Sequence, residues 1–286
     1  MPKEKRDAFY QIVLFPTKTC ALVNELYYTA ARNNLYASQK RVSANAMANQ
    51  TRALFEQDIA LMKHYNTIYA EGRWNHFMDQ THLGYNNWMP PRENSLRAVP
   101  LQEVQPSAEA SMGISIPGTE ASWPGSTEKA ILPELDIFNN KEQFIEIFNR
   151  GKIPFEYTIK TDVPWLSLSE SKGKMDQTDQ RIWVKLKENL LPKGKTQANI
   201  IISGSGQEVS ISVQAFNPEE SAGIKGFVES GGLIAIEAEH FSKNKEEGDR
   251  KWIKIDDYGL TLSGMRATAP ANAPVATPKK DAPCLE

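Results

Sequence analysis

Hydrophobic residues recur at every third or fourth position through the first quarter of the chain. Between residues 5 and 36 the stripe consists of Phe9, Val13, Pro16, Cys20, Val23, Tyr27 and Ala30. A second stripe consists of Leu54, Leu61, Tyr65 and Ile68. This spacing places hydrophobic side chains on one face of an α-helix. Because Ser43 is a favourable N-cap and Gly72 a natural helix stop, the pattern predicts two long helices.

Pro16 lies inside the first stripe. Its ring and its missing N–H disturb helical hydrogen bonding, so the sequence predicts a kink or a division of the helix near this residue. The two helices are joined by a short polar link, which favours an antiparallel hairpin or small bundle over residues 5–89. Its wide apolar faces need further partners.

The pattern changes after Trp88, where the helical period ends and prolines recur. The prolines are Pro90, Pro91, Pro100, Pro106, Pro117 and Pro124, with Ser, Glu and Gly between them. This composition is typical of linkers and surface connections. We therefore expect a proline-rich linker over residues 90–130.

Residues 131–217 show a hydrophobic period of two in short segments. These are LDIF, QFIEIFN, FEYTIK, WLSLS, RIWVKLK, TQANIIISG and QEVSISVQAF. So many short strands in this length favour an immunoglobulin-like β-sandwich, here without the paired cysteines of antibody domains. Residues 218–286 contain GLIAIEAEHFS, KWIKIDDYG and TLSGM, which predict the truncated start of a C-terminal β-sandwich. The expected fold class is multidomain α plus all-β, with an incomplete second β-domain.

Charge and cysteine usage exclude several kinds of partner. The net charge is −2 and Lys and Arg are scattered, so we do not expect nucleic-acid binding. No apolar run reaches the ~18 residues that span a bilayer, and MPKEKRDAFY lacks the apolar stretch of a signal peptide. Cys20 and Cys284 have neither disulfide-framework nor zinc-ligand spacing.

The segment RWNHFMDQTHLGYNNW, residues 73–88, holds the densest candidate chemistry. His76, Asp79 and His82 stand three residues apart and could in principle meet a metal. Metal-binding histidines on helices usually stand four apart, and a fourth ligand is missing. We therefore expect no metal here but a polar cluster or sugar-facing surface, in which Asp79 orients a histidine by a hydrogen bond.

Aromatic residues in the same segment have two interpretations. An aromatic ring can stack on the apolar face of a sugar, but aromatics that follow a helical hairpin more often pack against a domain junction. Packing is the interpretation we favour. If the segment meets a substrate, the candidate binding residues are Trp74, Asn75, His76, Asp79, Gln80, His82, Tyr85 and Trp88.

The order of several segments resembles one enzyme family. AFYQIVLFP, VNELYYTAARNNLYA, LFEQDIALMKHYN, RWNHFMDQTHLGYNNWMPP, IAIEAEHF and TLSGM follow one another as in the C-terminal part of glycoside hydrolase family 115, the xylan α-glucuronidases. The resemblance implies a parent enzyme, periplasmic or extracellular, that removes glucuronic acid or its 4-O-methyl form from xylan. In that family an α/β domain and a TIM-barrel catalytic domain precede the helical and β-sandwich parts.

The chain lacks the alternating strands and helices of a barrel, which would take ~200 residues or more. The resemblance therefore implies that the catalytic carboxylates lie in a missing barrel. We expect this chain to be inactive alone, with no catalytic residue and no cofactor of its own. Its expected partners are glucuronoxylan through the parent enzyme, the barrel, and a second copy in a homodimer.

Glu237 and Glu239 of IEAEHF are a tempting acid pair. Two residues apart on a strand, they would point the same way and could not flank a glycosidic bond. IEAEHF also resembles the first strand of family 6 carbohydrate-binding modules, so a non-catalytic glycan-binding protein is the alternative. Its aromatic platform would come from Trp123, Trp165, Trp183 and Trp252, although Trp165 and Trp183 fit core or half-buried sheet positions better.

Overall fold

The computed structural model describes residues 1–85, 88–138, 142–219, 226–277 and 282–286. The chain divides into two compact units, Met1–Glu219 and Glu220–Glu286. The first unit contains a helical hairpin followed by a β-sandwich. The second contains short strand pairs. This order confirms the expected fold class.

The hairpin consists of α2 and α3. A short helix lies before them, so the α-helices are α1 Arg6–Phe9, α2 Phe15–Ser38 and α3 Ala44–Thr67. A π-helical segment, Tyr10–Leu14, separates α1 from α2. Short 3-10 turns elsewhere in the described residues are Lys3–Lys5, Tyr69–Gly72, Leu96–Ala98, Glu188–Leu190 and Ala238–His240. The helices pack through Leu26, Ala30 and Leu54. No helix in the described residues is long and apolar enough to cross a membrane.

The helix ends agree with the sequence in part. Pro16 lies in the first turn of α2, where a missing N–H costs little, and the π-helical segment just before it interrupts the helix as predicted. Ser43 is the N-cap of α3, but its side chain makes no capping hydrogen bond. The helix stops at Thr67 and not at Gly72, because Ala70, Glu71 and Gly72 all adopt positive φ.

The sandwich has two layers among the described residues. Its strands are β1 Met112–Ser115, β2 Leu135–Asp136, β3 Gln143–Asn149, β4 Phe155–Thr161, β5 Leu166–Leu168, β6 Lys172–Met175, β7 Gln180–Leu186, β8 Gly194–Gly204 and β9 Gln207–Asn217. One sheet has the order β1-β3-β7-β5 and the other β2-β9-β8-β4-β6. Only the short β2–β9 pairing is parallel in these two sheets. Alternate residues such as Tyr157, Ile159 and Ile200 fill the core between them.

The sandwich begins earlier than the expected boundary at residue 131. Strand β1 lies inside the expected linker and pairs with β3, with Met112 opposite Asn149. The sequence from Ser111 to Ile116 does alternate polar or small residues with apolar ones, but this run is short and lies between Pro106 and Pro117, so the composition around it indicates a linker. Further along, Trp123 and Ile114 exchange backbone hydrogen bonds.

The second unit has the strands β10 Asn244–Lys245, β11 Lys251–Ile255, β12 Gly264–Thr268 and β13 Cys284–Leu285. They form two antiparallel pairs, β10–β13 and β11–β12. IEAEHF was expected to be a strand, but residues 234–237 are irregular and Ala238–His240 is a 3-10 turn. Ile234 and Ile236 are exposed, so an inward apolar face that would hold this segment in a sheet does not form.

Candidate functional site

Residues 73–85 follow the hairpin as a series of turns and irregular chain, and residues 86 and 87 of the candidate segment lie outside the described residues. Because this stretch is not helical, His76, Asp79 and His82 do not follow a common helix face. Instead, each histidine has its own carboxylate partner. His76 pairs with Asp79, as the sequence predicted, and His82 pairs with Asp58 of α3.

The His82–Asp58 pair is largely buried. The Nε2–H of His82 donates to both carboxylate oxygens of Asp58, at 2.9 Å each, and the Asp58 side chain is only 1% exposed. Nδ1 lies 3.1 Å from the carbonyl oxygen of Gln80. The hydrogen bond to Asp58 raises the pKa of His82 above its ordinary value, against the opposing effect of burial. With both nitrogens engaged, this imidazole holds the segment against α3 and is not free to exchange protons with a ligand.

The His76–Asp79 pair is open to solvent. Asp79 accepts hydrogen bonds from Asn66 Nδ2 at 2.7 Å and from His76 Nδ1 at 2.6 Å. The His76 side chain is 78% exposed, and its Nε2 has no hydrogen-bond partner within the described part of the chain. A carboxylate held at one nitrogen fixes the tautomer and turns the other nitrogen outward. His76 is therefore the histidine of this segment that can contact a ligand.

The aromatic residues of the segment divide into packed and exposed groups. Trp74 packs against the cluster of Phe15, Tyr65 and Tyr69, which belongs to the helical part of the chain and not to the predicted domain junction. Tyr85 is exposed and accepts a hydrogen bond from Gln80 Nε2 at 2.6 Å, while Trp88 is 96% exposed. Asn75 caps the turn by accepting from the His76 N–H. Phe77 is also exposed, at 58%, so three aromatic side chains of the described part of the segment reach solvent.

Three residues of this site were missed from the sequence, namely Asp58, Asn66 and Asn94. Asn94 Oδ1 accepts from the backbone N–H of His82 and Leu83. A usable signal existed for Asp58, because it lies on the buried face of α3 between Leu54 and Leu61. A charged residue on an apolar stripe needs a partner.

The described residues contain no group of three or more His, Cys, Asp or Glu side chains that could hold a metal ion. Two carboxylates do meet at the contact of hairpin and sandwich, where Glu146 and Asp179 share Arg41 Nη1 at 2.9 and 2.8 Å. Burial raises the pKa of Asp179. Burial also acts to raise the pKa of Glu146, but hydrogen bonds and charges from Arg181 and Arg41 lower it overall. Because both acids bind a buried guanidinium, the pair is a structural ion cluster.

In the second unit, Glu237 and Glu239 bind the segment TLSGM. Thr261 Oγ1 donates to Glu237 at 2.8 Å, and the Ser263 N–H donates to Glu239 at 3.0 Å. The Ser263 hydrogen bond lowers the pKa of Glu239, and Lys254 lies 3.4 Å from the same carboxylate. The two acids therefore form a hydrogen-bond network that joins two segments carrying the family resemblance.

This arrangement agrees with the comparison to known families. Residues 226–286 match the glycosyl hydrolase family 115 C-terminal domain. The matched range contains both IEAEHF and TLSGM, and it confirms the family 115 resemblance for this part of the chain. The match spans the second unit and leaves the hairpin and the sandwich outside it.

Solved structures similar to the chain were also found. SSP-19, an MSP-domain protein like family member of Caenorhabditis elegans, is 8% identical, covers 31% of this chain and 94% of its own, and has a TM-score of 0.25. The ASH/PapD-like domain 7 of human CEP192 is 10% identical, with 42% and 92% coverage and a TM-score of 0.28. The FixG-related protein of Vibrio parahaemolyticus is 10% identical, with 39% and 97% coverage and a TM-score of 0.25. A comparison with curated proteins gave no match.

Proposed function

We propose that this chain is the accessory C-terminal part of an α-glucuronidase that removes glucuronic acid, or its 4-O-methyl form, from xylan. In this role it supports the catalytic barrel, contributes dimer contacts and has no complete active site of its own. The observation that carries the proposal is the family 115 match over residues 226–286. The carboxylate pairs described above are consistent with it, because Glu146 and Asp179 are occupied by Arg41.

Exposed apolar residues on the hairpin support a scaffold role. Phe9, Ile12 and Val13 are exposed at its start, and Tyr28 and Ile59 are exposed along it. An open groove of about 560 Å³ between α2 and α3 is lined by Lys18, Ala21, Leu22, Glu25, Gln57, Ala60 and Leu61. Apolar helix faces of this kind are typical of surfaces that another domain or subunit covers.

The segment 73–88 is the part of the hairpin that we propose to face the saccharide in the complete enzyme. Its exposed members include His76, Tyr85 and Trp88, which combine a polar nitrogen with two aromatic rings. Such a combination can stack on a sugar ring and hydrogen-bond to a hydroxyl group. Two contacts hold the segment in place: Trp74 packs on the aromatic cluster of the hairpin, and His82 binds Asp58 of α3.

The direct test is an assay of the purified chain on glucuronoxylan and on aldouronic acids. We expect no release of glucuronic acid, while a family 115 enzyme that includes its barrel releases it under the same conditions. Release of glucuronic acid that is absent from a protein-free blank and proportional to the concentration of this chain would contradict the proposal.

The alternative, a non-catalytic carbohydrate-binding protein, has one supporting feature. A groove of about 640 Å³ on the sandwich is lined by amide and hydroxyl side chains that can bind sugar hydroxyls, among them Gln197, Asn199, Ser210, Ser212 and Gln214. Trp123 borders it but is buried, so an exposed stacking ring is not part of the groove. Affinity electrophoresis in xylan gels separates the two: retardation that Gln214→Ala relieves would favour the binding protein.

A further inference from the structure

A third cavity lies where α2 meets the sandwich, within the unit Met1–Glu219. This junction pocket has a volume of about 320 Å³, and its side chains come from α2, β3 and β7 and from the chain after β1. The residues that matter are Tyr28, Arg32, Tyr36, Phe144, Glu146 and Arg181. The volume is at the lower end of the ~300–1,000 Å³ typical of small-molecule sites. None of these residues belongs to the segment 73–88.

Arg32 has donors to spare in this pocket. Its Nη2 donates to the Tyr36 hydroxyl at 2.5 Å, and its guanidinium lies 5.0 Å from the centre of the Tyr36 ring and 5.6 Å from that of Tyr28. No carboxylate of the described residues lies within ion-pair distance of Arg32. A guanidinium presents five N–H donors in a planar fork that matches a carboxylate. Arg32 uses one of them.

Arg181 stands on the opposite side of the pocket. Its Nη2 donates to Glu146 Oε1 at 2.7 Å, and its guanidinium lies over the Phe144 ring at 3.9 Å. The side chain is 44% exposed, so its remaining donors reach solvent. A second guanidinium is thus held in place by a carboxylate and a ring while part of it stays open.

The acids of this cluster are already occupied. Glu146 receives Arg181 on Oε1 and both Arg41 and Ser115 on Oε2. Asp179 binds the same Arg41 nitrogen. Three guanidinium groups, those of Arg32, Arg41 and Arg181, therefore face two carboxylates. The surplus positive charge belongs to Arg32, whose pKa is raised by the Tyr36 hydrogen bond despite partial burial.

We propose that the junction pocket binds a small carboxylate of about monosaccharide size. The carboxylate pairs with Arg32, and the open donors of Arg181 reach its second polar group. The exposed ring of Tyr28 and the Phe144 ring provide apolar faces for the body of the ligand. This site goes beyond the accessory role proposed above and does not depend on it.

The test is a titration of the full chain, by calorimetry and by protein NMR, with three probes. These are D-glucuronate, D-glucose as the neutral molecule of the same size, and inorganic phosphate as an anion without a ring. We expect saturable glucuronate binding that is at least about tenfold tighter than that of glucose or phosphate, the effect of charge-assisted hydrogen bonds combined with ring contact. Equal binding of glucose, or of phosphate, would overturn the proposal, as would no saturable glucuronate binding.

Substitutions in the junction pocket test whether glucuronate binds there. Arg32→Gln should weaken glucuronate binding about tenfold or more, because it removes the charged fork. The matched control is Arg52→Gln, which removes an exposed hairpin arginine that pairs with Glu103 and should leave binding unchanged. Tyr28→Ser alters an exposed ring, keeps the fold and should weaken binding several-fold. Wild-type affinity in both Arg32→Gln and Tyr28→Ser would overturn the assignment, and it would not bear on the glucuronoxylan assay.

Discussion

At the scale of single residues, buried charge shows where the hairpin is held together. Asp58 lies on the apolar face of α3 and is almost fully buried, so its charge must have a partner. His82 supplies it from a segment 24 residues further along the chain. A charged side chain within an apolar stripe therefore indicates a tertiary contact and does not argue against the predicted helix.

The His82–Asp58 pair predicts a pH dependence of stability. Since the folded pKa of His82 is raised, the pair contributes fully below the unfolded histidine pKa of about 6.5, and its contribution is lost as pH rises through the folded value. We expect the free energy of unfolding in urea to fall over this range in the wild type. His82→Gln and Asp58→Asn should both remove that component. An unchanged pH slope in His82→Gln would contradict the assignment.

Arg41 is the second buried charge with a clear expected effect. It is 1% exposed, lies between the Tyr36 and Phe148 rings and binds Glu146 and Asp179. Arg41→Met leaves two half-buried acids short of a partner and should lower the free energy of unfolding by ~3–5 kcal/mol. Arg52→Met, which breaks an exposed ion pair, should cost at most ~1 kcal/mol. Equal losses in urea unfolding would show that the cluster is not what joins hairpin and sandwich.

At the scale of elements, the long helices could be predicted from their hydrophobic period, whereas the short strand β1 could not. Helices α2 and α3 repeat their apolar residues over many turns, so the sequence located them closely. Strand β1 has only four residues and lies in a proline-rich stretch, whose composition indicates a linker. IEAEHF has alternating apolar residues but forms no strand, because Ile236 is exposed and no inward apolar face holds the segment in a sheet; its two acids bind Thr261 and Ser263.

The candidate site was predictable to the same limited extent. The His76–Asp79 hydrogen bond joins residues three apart, so local spacing was enough to expect it. The partners Asp58 and Asn94 come from other elements, at sequence separations of 24 and 12 from His82. Such contacts depend on how residues 73–85 fold back on α3, which no local pattern encodes.

Packing between elements gives a prediction for Leu26. This residue is fully buried and belongs to the cluster of α2, α3, Leu83 and Val99. Leu26→Ala should lower the free energy of unfolding by ~2–5 kcal/mol through lost contact and a residual cavity. Ile68→Ala, at a position that is 63% exposed, should cost well below ~1 kcal/mol. A similar small loss for both in denaturant unfolding would place Leu26 outside the core.

At the scale of the whole molecule, the hydrophobic clusters of the described residues all belong to the first unit. They are centred on the sandwich, on the α2–α3 contact and on Phe15, Tyr65 and Tyr69. The described residues of the second unit contain strand pairs but no such cluster. We therefore expect residues 1–219 expressed alone to melt within a few degrees of the full chain. A much lower midpoint in calorimetry would show that the first unit needs the second.

The exposed apolar face of the hairpin leads to the last prediction, which concerns self-association. Ile12 and its neighbours Phe9 and Val13 are exposed together, and burying such a patch favours association by ~25 cal/mol per Å² of apolar area. We expect sedimentation velocity to show a dimer that dissociates on dilution, and Ile12→Glu to weaken it at least about tenfold. Leu260→Glu changes a residue of the second unit that is even more exposed than Ile12, and it should have no effect. A monomer at every concentration, or equal weakening by both variants, would exclude this face as the dimer contact.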